Sequence, residues 1–350
     1  MNTKNISLSG NDKITLVSNM HTMLSSGIPI LETVDSLLQD AKGNQRYILQ
    51  AMREDLSQGQ HVYFTFAKFP RVFDKVTVNI MKASEEAGTL DVTLKDLTTS
   101  IKREMEFNDK IKSALIYPTF ILIVFVGVML MILTVVVPKI ATVFSRLNVD
   151  LPLPTQIMIT MSDALLNYPL YIGAITALLV GGFLYIYKQY KRALINALTT
   201  LPLISTLARA IDLTRSTRSL YLLLNAGIPI TSALELTEDV VIKNDIHKAL
   251  VHAKTVVLSG KKLSEGLRDN RAVIPPMMIK IIEAGERSGT LDNSLQEIAE
   301  YLDYQVSNTL KTVTALIEPL LLVVIGLLVG GMMLAIIAPI YGVIGSLGAR

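Results

Sequence analysis

The chain has 350 residues, half of them apolar, with mean hydropathy +0.44, 18% charged residues and a net charge of +3. Soluble domains carry about 25% charged residues, so this composition excludes a disordered chain and points to a membrane protein. With no cysteine, a disulfide scaffold, thiolate metal sites and a Cys nucleophile are excluded, and so small a net charge leaves nucleic acid no footprint. In chain order, the first ten residues are polar and lack the apolar core of a cleavable signal. Leu16, Met20, Met23 and Leu24 then repeat at helical spacing, as do Leu90, Leu94, Leu97, Ile101 and Met105. Nothing alternates like a strand, so residues 1–112 are expected to form a helical bundle of about six helices.

Three uncharged runs follow. Ser113–Pro138 holds 26 residues without a charge, residues 164–187 hold 24, and residues 319–349 hold 31. A spanning helix needs about 20 apolar residues, and backbone groups in hydrocarbon must bond within the segment. The expected layout is therefore spans at 113–137, 168–187 and 313–338, with a connection at 138–167, a second helical bundle at 188–312 and a tail at 339–350. Near the membrane ends, Lys102, Arg103, Lys110, Lys112, Lys188, Lys191, Arg192 and Lys311 outnumber Lys139, Arg146 and Arg350. By the positive-inside rule both large blocks and the N-terminus face the cytoplasm, and the connection and C-terminus face the periplasm.

The two blocks are copies of each other. Gly27-Ile28-Pro29-Ile30 recurs as Gly227-Ile228-Pro229-Ile230, and the acidic turn Glu85-Glu86-Ala87-Gly88-Thr89-Leu90-Asp91 recurs around Glu286, Gly289, Thr290, Leu291 and Asp292. Tyr117-Pro118 maps onto Glu318-Pro319, and Pro138 onto Pro339. One offset of about 200 residues held across separate motifs marks an internal duplication. The middle span has no counterpart; its extra crossing returns the chain so that both copies face one compartment, unlike the inverted repeats of many transporters.

Candidate chemistry is sparse. No phosphate-binding loop with Lys-Ser/Thr and no Gly-x-Ser-x-Gly elbow occurs. His247 and His252 stand five apart, where a helical zinc pair needs four. No catalytic residue and no cofactor is expected. Glu85, Asp91, Glu286 and Asp292 either hold a divalent cation or are helix-end charges on a solvated turn. Gly27, Pro29, Glu85, Glu86, Gly88, Gly227, Pro229, Glu286 and Gly289 are candidate partner-contact residues, because the repeat preserves their turns. In the last span, Gly326 and Gly330 either allow close helix packing or belong to a generally Gly-rich span. Glu318 near its cytoplasmic end either pairs with a base of a neighbouring chain or snorkels. One spacing differs between the copies: Phe69-Pro70 precedes Glu85 by 15 residues, whereas Ile274-Pro275 precedes Glu286 by 11. A helix longer by about one turn, or kinked, is expected there in the first copy.

Taken together, Leu-x-x-Gly-Ile-Pro-Ile at 24–30 and 224–230, Glu-x-x-Gly-Thr-Leu-Asp at 85–91, its copy at 286–292, Leu151-Pro152-Leu153-Pro154-Thr155 and Glu318-Pro319 resemble the PilC/GspF family. These are the inner-membrane platform proteins of type IV pilus and type II secretion machines. The short stretch before Leu24 resembles the type IVb pilus branch. The resemblance implies a non-enzymatic bacterial inner-membrane platform that homo-oligomerises. It also implies docking of a cytoplasmic hexameric ATPase, and work with pilins and other inner-membrane assembly proteins. The alternative reading is a small transporter or channel subunit, which would need ionisable residues along several spans.

Overall fold

The computed structural model describes residues 5–147, 153–171 and 202–348, together with 174, 178, 181 and 182. Among these the chain is helical, without strands. The first repeat contributes α1 (Gly10–Ser25), α2 (Ile30–Asp40), α3 (Gly43–Ser57), α4 (Val62–Ala67), α5 (Lys75–Glu86) and α6 (Leu90–Met131). A π-turn (Ile132–Val136), α7 (Val137–Leu147) and α8 (Leu153–Asn167) follow. The second repeat contributes α9 (Pro202–Asn225), α10 (Ile230–Glu238), α11 (Asn244–Leu258), α12 (Leu263–Arg268), α13 (Pro276–Ser288) and α14 (Leu291–Gly348). Two helical stretches, Leu90–Val143 and Leu291–Ile337, are long and apolar enough to cross a membrane. Most of the expected middle span at 168–187 lies outside the described residues.

The chain divides into two compact units, one drawn from residues 1–110 and 195–308, the other from 111–194 and 309–350. In the first unit both repeats share one apolar core, from Leu16, Met20, Phe66 and Leu94 in one copy to Leu223, Leu234, Ile282 and Leu295 in the other. The expected difference between the copies around Pro70 is not present. Helix α4 ends at Ala67 and α5 starts at Lys75, while α12 ends at Arg268 and α13 starts at Pro276, so both intervals are equal at an offset of 201. The true counterpart of Ile274-Pro275 is Phe73-Asp74. Asp74 starts α5 by accepting a hydrogen bond from the Thr77 N–H at 2.7 Å, whereas Pro275 starts α13 by its fixed φ. Pro70 lies in the preceding turn and adds no helix.

The second unit holds a less obvious relationship. Pro138 and Pro339 are repeat counterparts and neither has an N–H to give. In α14 the carbonyl of Ala335 would take its helical bond from residue 339, which is proline. In the first copy the π-turn moves the defect: the Val137 N–H bonds to Ile132 O, so Leu133 O is left facing Pro138. Helix α8 supplies both missing donors. Its Ser162 hydroxyl donates to Leu133 O at 2.6 Å, and its Thr155 hydroxyl donates to Ala335 O. The two hydroxyls stand seven residues apart on one face of α8, and both side chains are buried.

Candidate functional site

The repeated turns are built by local hydrogen bonding. At the end of α1 the Ile28 N–H bonds to Met23 O at 3.1 Å and the Gly27 N–H to Leu24 O at 2.9 Å. At the end of α9 the Ile228 and Gly227 N–H groups do the same with Leu223 O and Leu224 O, at 3.0 and 2.9 Å. This double closure places the glycine in the left-handed region, with φ +82° at Gly27 and +78° at Gly227. Pro29 and Pro229 then occupy the N-cap of α2 and α10, and their carbonyls receive the Thr33 and Ala233 N–H groups at 2.9 Å. Gly88 and Gly289 close α5 and α13 in the same left-handed conformation, with φ +72° and +75°.

The duplicated glutamates have a specific task. Glu85 accepts the Val62 N–H at 3.0 Å on one oxygen and the Tyr63 N–H at 3.3 Å on the other. Glu286 does the same for Leu263 and Ser264 at 2.6 and 3.3 Å. Each carboxylate therefore closes the exposed donor end of the six-residue helix α4 or α12, which has no side-chain cap of its own. In the first copy the His61 ring stands 3.3 Å from the same Glu85 oxygen. Asp91 and Asp292 sit in the first turns of α6 and α14, away from these caps; the Asp91 carbonyl pairs with His21 Nδ1 at 2.8 Å. Glu86 is exposed, and its counterpart is Arg287. Among the described residues no three His, Asp or Glu side chains converge as a metal site.

The seam between repeats is polar. Asn225 donates to Asp96 at 3.1 Å, Arg215 donates to Asn108 at 3.0 Å, Arg103 pairs with Glu300 at 3.2 Å and Lys75 with Asp239 at 2.6 Å. Between α6, α9 and α14 lies a cavity of about 200 Å³ lined by Asp96, Ser100, Arg103, Arg218, Tyr221 and Glu300. Arg218 is buried beside it, bonded to Asp303 at 2.5 Å and lying over the Phe107 ring. Burial, and next the Asp96 charge, push the Tyr221 hydroxyl above its ordinary pKa. Asp212 in α9 is almost fully buried and receives the Ile242 and Lys243 N–H groups at 2.9 and 2.6 Å; burial raises its carboxyl above the usual range, against the pull of those two bonds.

In α14, Gly326 and Gly330 are open: no atom lies within 4 Å of where a Cβ would stand. Glu318 is exposed as well. Sequence reasoning singled out the glutamates and glycines but missed Thr155, Ser162, Asp212 and the seam. For the α8 hydroxyls a signal was present, since prolines kept at both copies' span ends each demand an outside donor.

Residues 16–138 and 216–339 both match the family described as Type II secretion system (T2SS), protein F. Among curated proteins the chain is 30% identical to a type IV pilus assembly protein PilC of Thermus thermophilus over 332 residues, covering 94% of this chain and 82% of the relative. It is 27% identical to a type IV pilus assembly protein PilC of Myxococcus xanthus (97% and 82%). It is 26% identical to a type II secretion system protein F of Aeromonas hydrophila (93% and 84%).

Proposed function

Because the chain belongs to the type II secretion protein F family, we propose that it is a non-enzymatic platform of the bacterial inner membrane for type IV pilus or type II secretion pseudopilus assembly. Its duplicated module docks a cytoplasmic hexameric ATPase, and its membrane part self-associates and couples the motor to pilin insertion into the fibre. The observation that carries this reading is the doubled helical module with one shared core. Each copy's last helix, α6 or α14, continues into an apolar segment long enough to cross the bilayer.

In this reading the modules and N-terminus face the cytoplasm and the C-terminus faces the periplasm. The repeated turns at Gly27, Pro29, Gly88, Gly227, Pro229 and Gly289, with the exposed Glu86, are candidate contacts for the motor. The carboxylates of Glu85 and Glu286 are already engaged in capping, so these two residues shape the surface indirectly, by holding α4 and α12 in place. Gly326, Gly330 and Glu318 offer an open helix face for packing between copies.

The test uses the full-length protein in detergent with the secretion ATPase encoded beside it. Co-elution of the two, with no nucleotide hydrolysis by the membrane protein alone, is the expected result. Failure to capture that ATPase, or hydrolysis by the purified chain, overturns the proposal. Reporter fusions check the topology: a periplasm-active reporter is expected to work at residue 150 and stay silent at residue 250.

A further inference from the structure

We propose that copies of this chain join head to tail, the tyrosine face of α13 and α14 in one copy seating on the polar ridge of α1 in the next. Inside one chain, α6 of the first repeat faces α9 of the second across the seam. There Ser100 and Arg103 stand across the cavity from Arg218, Tyr221 and Leu222. Exchanging every residue for its repeat counterpart turns the seam around. Ser100 and Arg103 become Tyr301 and Tyr304; Arg215, Arg218 and Leu222 become Thr15, Ser18 and Thr22.

These counterpart faces are open in the single chain. Tyr301 is 39% exposed and Tyr304 64%. Thr15, Asn19 and Thr22 are exposed, whereas Arg215, Ser219 and Leu222 at the matching positions are half-buried under α6. The neighbouring helix repeats the asymmetry, Met277 of α13 being 51% exposed where its counterpart Val76 of α5 is 5% exposed.

Side-chain size decides the occupant. Inside the chain α9 presents Arg215, Arg218 and Leu222, and α6 presents the small Thr99 and Ser100 beside the long Arg103. Across the open faces the bulk lies on the second repeat: Tyr301, Tyr304 and Met277 project from it, and α1 offers Thr15, Ser18 and Thr22. The open pair of surfaces is thus complementary in size, and the hydroxyls of α1 can bond the tyrosine hydroxyls. Tyr is also among the residues that dominate interface energetics. A face of the second repeat meeting a face of the first is a heterologous contact, which builds a ring or an open chain of copies.

The proposal rests on the self-association given above, and the absence of cysteine in the chain makes it directly testable. Two differently tagged full-length forms, Ser18→Cys and Tyr304→Cys, are co-expressed and their membranes treated with a short bis-maleimide. A dimer band carrying both tags is expected, absent when either form is expressed alone. The double variant Ser18→Cys/Tyr304→Cys is expected to give a ladder. Adding Thr15→Arg to the Ser18→Cys form, which places on α1 the long side chain found at Arg215, is expected to abolish the mixed band. A Tyr304→Cys band with itself, or amine crosslinking that traps oligomers while the mixed pair stays silent, overturns this interface and leaves self-association standing. A monomer by both reagents overturns both.

Discussion

Ser162 donates its hydroxyl to the Leu133 carbonyl at 2.6 Å, and it does so because Pro138 cannot. The bond joins a helix of the connection to the π-turn at the end of the first apolar segment, and Thr155 makes the matching bond to Ala335. Leaving a buried carbonyl without a partner costs about 1–3 kcal/mol. Ser162→Ala is therefore expected to lower the midpoint of thermal unfolding of the full-length protein in detergent. In a Pro138→Ala background, where residue 138 regains its N–H, the same substitution is expected to cost much less. Equal costs in both backgrounds would show that Ser162 acts in some other way.

The glutamate caps make a second expectation. Glu85→Ala and Glu286→Ala each remove two acceptors from a helix start, and lost caps typically cost about 0.5–2 kcal/mol. Glu→Gln keeps one carbonyl oxygen and is expected to cost less than Glu→Ala at both places. Unfolding curves of the four variants check this, and a cost confined to one copy would contradict the equivalence of the caps.

Asp212 sets a pH dependence. Its carboxyl is held above the unfolded value of 3.8 by burial, so the native state binds that proton more tightly than the unfolded chain. Its contribution to stability is then greatest in acid and declines as pH rises from about 4 through the raised native pKa. Asp212→Asn keeps an acceptor for the Ile242 and Lys243 N–H groups but carries no charge. The stability difference between variant and parent is expected to move in favour of the variant as pH rises from about 4 to about 7. A difference that stays flat would refute the assignment.

Gly285 tests packing in place of polarity. A Cβ there would crowd the Ser294 side chain, 2.8 Å from its Cβ, and would stand 3.1 Å from the Leu291 Cα, which is backbone that cannot swing away. Gly285→Ala is expected to destabilise by about 1–3 kcal/mol. Gly326→Ala, inside α14 where nothing lies within 4 Å, is expected not to destabilise the single chain and to stabilise it by up to about 1 kcal/mol through helix propensity. Thermal unfolding of the two variants side by side checks both.

The duplication, the helical class and the two glycine turns were legible from periodicity and one constant offset, because they depend on contacts within a few residues. The role of Glu85 was not, because its partners Val62 and Tyr63 lie more than twenty residues away and no local pattern announces such a cap. The spacing around Pro70 misled for a related reason. Pro70 and Pro275 look like counterparts in the sequence, whereas an aspartate, Asp74, does the work of Pro275 at the helix start. The joining of the two repeats was hidden because the contacts that make it, such as Arg215 with Asn108 and Asn225 with Asp96, lie more than a hundred residues apart in sequence.

The proline pair also constrains how the protein is made. Neither apolar segment closes its own backbone ladder, so an insertion intermediate holding only the first one carries a bare Leu133 carbonyl until α8 is synthesised. Thr155 in turn waits for Ala335, 180 residues later in the chain. A chain truncated before its last apolar segment therefore leaves the Thr155 hydroxyl without its acceptor.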